Sequence, residues 1–84
     1  MMPYFFYIAR CADNSLYIGS SDNPDRRITE HNSGIGAQWF RQHGKGIIIY
    51  TEEYPTQLEA HRRELQVKKW SRKKKENLIQ GRKP

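Results

Sequence analysis

Apolar and polar positions fall into short blocks along the chain, and the blocks differ in period. Tyr4 to Cys11 reads Tyr-Phe-Phe-Tyr-Ile-Ala-Arg-Cys. It is aromatic, does not alternate and is too short for a helix, so it predicts a strand apolar on both faces. Ala12-Asp13-Asn14 is turn chemistry, since Asp and Asn tolerate positive φ. Leu16-Tyr17-Ile18-Gly19 predicts a second strand, and the two make a hairpin. A two-residue loop would pair Ala12 with Ser15 and put Tyr7 and Tyr17 on opposite faces. A three-residue loop is a type I turn followed by Asn14 in the left-handed region. It pairs Cys11 with Ser15 and Ala9 with Tyr17, and sets both tyrosines on one face. The second register is the one expected.

Further along, Asn23 suits a helix cap, Pro24 the first helical position and Asp25 the helix dipole. That helix is expected to run to about Asn32 and to stop at Ser33-Gly34. From Gly34 to Gly46, four glycines and no periodicity predict a loop. Ile47 to Thr51 predicts a third strand, apolar on both faces and therefore central or covered. Thr56-Gln57-Leu58-Glu59 is a capping box that opens a helix to about Trp70. Ser71 caps a final basic helix that reaches about Gln80 and ends at Gly81. The predicted order is ββαβαα, without internal repeats.

With 84 residues the chain is expected to form one domain, residues 1–84, around a small core that its ten aromatic rings can supply. No apolar run approaches the roughly 18 residues of a membrane span. No basic region precedes the first apolar stretch, so no signal peptide is expected. The single cysteine, Cys11, excludes a disulfide framework and a thiolate zinc site and reads as a small packed hydrophobe. The expectation is a soluble cytoplasmic protein with no membrane and no disulfide-linked partner.

Charge changes the picture once it is split. The net charge is +6, yet residues 1–67 carry a net −1 and residues 68–84 a net +7. The basic block is Lys68, Lys69, Arg72, Lys73, Lys74, Lys75, Arg82 and Lys83. Such a block is either a solvated face or a phosphate-binding patch.

Four sets of residues carry candidate chemistry. Ala60, Glu64 and Val67 share one helix face, which aims a carboxylate at the body of the protein; Glu64 to Lys68 is also an ordinary i,i+4 ion pair. A lone carboxylate suits Mg²⁺, which keeps most of its waters and takes one or two protein carboxylates plus phosphate. Arg27 and His31 share a face one turn apart, the first suited to phosphate and the second to proton transfer, or both are solvated, with Arg27 paired to Glu30 or Asp25. Tyr7 and Tyr17 are core aromatics or hydroxyls in a cleft. Trp39-Phe40 beside Arg41 either stacks on unpaired bases or covers the sheet. His43 reads as a loop residue and His61 as helix surface, neither at metal-site spacing, and Gly34-Ile35-Gly36 is no phosphate loop.

Taken in order, Tyr7 in Phe5-Phe6-Tyr7, Tyr17-Ile18-Gly19, Arg27, His31 and a helical Glu64 resemble the GIY-YIG nuclease superfamily. The closest likeness is to its small, stand-alone, mostly uncharacterised bacterial branch. Asp13 to Tyr17, His31-Asn32-Ser33-Gly34, Ala60 to Glu64 and the lysine-rich stretch before Leu78-Ile79 also match that branch. The resemblance covers residues 4 to about 79 and leaves a basic tail at 80–84. It implies an α+β, ββαβαα fold with a three-stranded antiparallel sheet flanked by helices.

The same resemblance implies a Mg²⁺- or Mn²⁺-dependent endonuclease that hydrolyses DNA phosphodiesters in repair or processing. Glu64 would be the metal ligand, holding the ion weakly. Tyr17 would position or deprotonate the attacking water, Arg27 would bind the scissile phosphate, Tyr7 would wall the site and His31 would aid proton transfer. Asn77 lies near a late asparagine of some relatives. Arg27, Arg41, Lys68, Lys69, Arg72, Lys73, Lys74 and Lys75 are the expected nucleic-acid contacts. Phe5-Phe6 replaces the Gly-Ile of the motif, and Ser20 stands where several active relatives have lysine. The alternatives are a nucleic-acid-binding module on the same fold with weak or no catalysis, and a protein-interaction module whose basic tail meets an acidic partner. Geometry separates them: for an enzyme, Tyr7, Tyr17, Arg27, His31 and Glu64 must converge on one concave polar surface, and a Glu64 buried against the sheet or turned away from Arg27 would count against the enzyme.

Overall fold

A computed structural model describes residues 2–35 and 38–84. Met1, and Gly36 and Ala37 of the expected loop, lie outside the described residues. Strand β1 (Tyr4–Cys11) and strand β2 (Leu16–Ser21) form the hairpin. Helix α1 (Pro24–Asn32) and a short helix α2 (Trp39–His43) follow, then strand β3 (Gly46–Tyr54) and helices α3 (Gln57–Lys68) and α4 (Arg72–Ile79). The fold is α+β, with an antiparallel sheet in the order β2-β1-β3.

Local chemistry accounts for most boundaries. Asn14 has φ +72°. Its N–H donates to the Cys11 carbonyl at 2.8 Å and the Cys11 N–H donates to Ser15 at 2.9 Å. The three-residue loop is therefore the one adopted, and Ala9 faces Tyr17. The Asn23 side chain accepts from the Arg26 N–H, Thr56 from Glu59 and Ser71 from Lys74, so each expected cap forms. Gly81 ends α4 at φ +75°.

Alternate side chains of β1 bury on opposite faces of the sheet. Phe6 and Ile8, with Ile18, meet Val67 of α3 and Leu78 of α4. Ala9 and Cys11 meet Ile28 of α1 and Phe40 of α2. The sheet thus has a helical layer on each side, and β2 leaves one edge open. Among the described residues, no helix is long and apolar enough to cross a membrane.

Four expectations are corrected. The stretch expected as loop contains α2, a helix of five residues held by Phe40, which is buried. A Cβ at Gly46 would lie 2.7 Å from that ring, so only glycine lets β3 begin beneath it. His43, expected in the loop, lies on α2 with Nδ1 2.6 Å from Asp13 Oδ2 and 3.0 Å from Ser15 Oγ. Both contacts fall on one nitrogen, so this trio clamps the hairpin turn and is no proton relay. Of the two readings of β3, the central one falls: β1 takes the centre and β3 is an edge strand that α1 and α3 cover in part, with Ile47 71% exposed. Helix α3 also stops at Lys68, short of Trp70, because Ser71 already caps the next helix.

Candidate active site

The hairpin register builds the site first. Tyr7 pairs with Gly19 and Ala9 with Tyr17, so both tyrosines project from one face, ring centroids 6.2 Å apart. A Cβ at Gly19 would stand 2.7 Å from Tyr7 Cζ and Oη and 3.1 Å from Tyr17 Cε2. Glycine here is what lets the Tyr7 ring lie across β2 toward the open edge. Tyr7 is fully buried and Tyr17 half-buried.

Helix α1 lies over that face. His31 is 3% exposed. Its ring meets Tyr17 edge-on at 5.5 Å and stacks on Phe40 at 4.7 Å. Arg27, one turn earlier, is partly exposed and donates from Nη1 to Glu30 Oε1 at 3.1 Å.

Helix α3 comes from the other layer. Ala60, Glu64 and Val67 are its buried stripe, as the spacing predicted, and the Glu64 side chain is 12% exposed. Glu64 Oε1 accepts from Ser20 Oγ at 2.6 Å, and Oε2 pairs with Lys68 Nζ at 2.7 Å. His61 Nδ1 stands 3.7 Å from the same carboxylate. The carboxylate therefore reaches β2 through Ser20.

Electrostatics tie the layers together. Burial pushes the Tyr7 hydroxyl well above its ordinary pKa, Tyr17 and Glu64 add to the rise, and Arg27 opposes it. Tyr17 is also raised by burial, with Lys68 and Arg27 opposing and Glu64 adding. Arg27 and Glu64 thus act on both tyrosines. Burial, then the Arg27 charge, push His31 below its ordinary value. Both phenols are thus held toward their neutral form, and so is the His31 imidazole.

Of the five residues read from the sequence, Tyr7, Tyr17, Arg27 and His31 gather on the α1 side of the β2 edge, and Glu64, buried, reaches the same strand from the α3 side through Ser20, near enough to act on both tyrosines. Arg41 is exposed on α2 and Asn77 half-buried on α4, both on elements outside this cluster. Sequence reading placed Lys68 in a phosphate-binding block, yet it stands against Glu64; the i,i+4 spacing was the available signal. It gave no role to Ser20 beyond a missing lysine.

Among the described residues, no group of three or more His, Cys, Asp or Glu side chains gathers as a metal-binding set. Glu64 alone offers a hard oxygen donor. That fits Mg²⁺ or Mn²⁺ with a mostly water shell, and the Lys68 ammonium at 2.7 Å marks where a cation meets the carboxylate.

Residues 3–77 match the family described as the GIY-YIG catalytic domain. A UPF0213 protein of Staphylococcus haemolyticus is 38% identical over 82 residues, spanning 98% of this chain and 100% of that protein. A UPF0213 protein of Enterococcus faecalis is 42% identical over 78 residues, 90% of this chain and 89% of that one. Among solved structures, the solution NMR structure of the UPF0213 protein BH0048 from Bacillus halodurans superimposes with a TM-score of 0.60 at 42% identity. That match covers 94% of this chain and 84% of the other.

Proposed function

This chain belongs to the GIY-YIG catalytic domain family, and from that membership we propose that it is a divalent-metal-dependent endonuclease that hydrolyses phosphodiester bonds of DNA in repair or processing. The observation that carries this reading is the gathering of Tyr7, Tyr17, Arg27, His31 and Glu64 around one sheet edge from four separate elements.

Each side chain has a defined task in that reaction. Glu64 would hold Mg²⁺ or Mn²⁺, which when bound would supply positive charge for the phosphate oxygens and a more acidic water. Arg27 presents a planar pair of N–H donors to the scissile phosphate, exchanging the exposed Glu30 contact for it. Tyr17 keeps its proton at neutral pH, so its hydroxyl orients the attacking water rather than ionising alone. His31 is edge-on to Tyr17 and buried, so it holds the Tyr17 ring in place and is the imidazole nearest to the tyrosine for a proton that leaves the attacking water. Tyr7 walls the site and keeps water off the tyrosine pair.

A panel of single-stranded, duplex, flap and junction DNAs and RNAs, with Mg²⁺ or Mn²⁺, tests this. Wild type should cut at least one substrate, and Glu64→Gln should lower the rate by about a hundredfold or more. Equal binding by both proteins without cutting would overturn it and favour the second reading, a binding module. That reading rests on the Glu64 carboxylate, whose two oxygens Ser20 and Lys68 already engage.

A further inference from the structure

Along the open edge of β2, beside Tyr17, runs a groove of about 260 Å³ lined by Leu16, Tyr17, Ile18, Trp39, Lys68 and Lys75. One wall is aromatic, with Trp39 and Tyr17 rings 5.4 Å apart. The other carries two ammonium groups, one on α3 and one on α4. The groove is smaller than the ~300–1,000 Å³ of pockets that take drug-sized ligands, so it admits one ring system.

The indole is held before any ligand arrives. His43 packs against it with centroids 4.0 Å apart, and His43 is itself pinned by Asp13 at 2.6 Å. Phe40, buried under the sheet, meets Trp39 edge-on and fixes α2. A platform ordered in advance loses little entropy on binding.

We infer that this groove is a subsite for an unpaired nucleotide, with its base against Trp39 and its phosphate between Lys68 and Lys75. The inference rests on the nuclease reading and narrows its substrate to single-stranded or locally unpaired nucleic acid. A base in a continuous duplex stays stacked in its helix and cannot reach the indole, whereas an unpaired base stacks on aromatic side chains whatever its sequence. Two ammonium groups opposite an aromatic wall complement a nucleotide, which carries a flat ring and an anion together.

Trp39 and Trp70 are the only tryptophans, so a Trp70→Phe background makes Trp39 fluorescence the reporter. Without divalent cation, a short oligothymidylate and a short oligouridylate should each quench it saturably. A blunt hairpin duplex and inorganic polyphosphate should not. By the anisotropy of a dye-labelled oligonucleotide, Trp39→Ala should weaken single-strand binding five- to a hundredfold and leave duplex binding unchanged, and Trp39→Tyr should restore most of the loss. Equal quenching by duplex, quenching by polyphosphate, or single-strand affinity that survives Trp39→Ala would overturn the inference. Quenching by oligothymidylate alone or oligouridylate alone upholds it, and an oligodeoxyuridylate then separates the sugar from the base methyl group. Because the readout is binding without metal, an intact Trp39 response in a protein that cuts nothing would refute the nuclease and keep the subsite.

Discussion

At Gly19 a single methyl group decides the geometry. The Tyr7 ring occupies the space a Cβ would need, with Cζ and Oη both 2.7 Å away, and Tyr17 closes the other side at 3.1 Å. The neighbours are rings in a buried layer, so neither swings aside freely. Gly19→Ala should destabilise the protein by about 1–3 kcal/mol and slow cutting, measured as a lower melting temperature and a lower rate on the best substrate. An unchanged melting temperature and rate would mean that Tyr7 moves away without cost and that its place is not fixed by β2. Ser20 shows the same economy next door. Its hydroxyl holds Glu64 Oε1 at 2.6 Å while Lys68 brings an ammonium to Oε2, so the carboxylate is oriented from two elements at once.

At the scale of elements, α4 is fastened through one acid. Glu76 receives Arg10 Nη2 at 2.8 Å and Nη1 at 3.1 Å, and Arg72 Nε at 3.0 Å. Arg72 also donates to the Asn14 carbonyl at 2.7 Å. The hydrogen bonds from Arg10, then those from Arg72, hold the Glu76 carboxyl down to about 2. A carboxyl depressed in the folded state stabilises it above the ordinary value, roughly 4.3. That stability is lost as pH falls through the folded value of about 2. Glu76→Gln should therefore cost about 1 kcal/mol near neutrality, a drop of about 4–8 °C in melting temperature. The gap from wild type should close on acidification. A gap independent of pH would assign the loss to packing rather than to the ion pair.

Elements also show why some of this was legible in the sequence. The hairpin register followed from Asn14 alone, and the helix starts from Asn23, Thr56 and Ser71, because turns and caps are local chemistry. Helix α2 has no period to read; it exists because Phe40 finds a place above Gly46, a contact between residues that the sequence does not join. The apolar run of β3 reads the same in an edge strand covered by helices as in a central one, so only the choice of β1 as the centre settles it. In the site, Arg27 with His31 and Ala60 with Glu64 were visible as helix spacing. The meeting of Glu64 with Ser20 was not, since it needs α3 to cross β2.

For the whole molecule, charge placement argues for the surface that meets nucleic acid. The excess of +7 lies in residues 68–84, but structure divides it. Lys68 pairs with one Glu64 oxygen and also lines the groove, while Arg72 is held by Glu76 and the hairpin carbonyl. Lys69, Lys73 and Lys74 are exposed and form no ion pair among the described residues. Lys75, half-buried, lines the groove. If the exposed lysines grip phosphates, each contact contributes about 0.7 to the slope of log affinity against log salt on a single strand. Replacing Lys69, Lys73 and Lys74 by Gln should then flatten the slope by about 2 while the depth of Trp39 quenching at saturation stays the same, because the groove keeps Lys68 and Lys75. A slope that does not change would return these three lysines to a solvated helix face and leave Arg27, Lys68 and Lys75 as the cations that meet the strand.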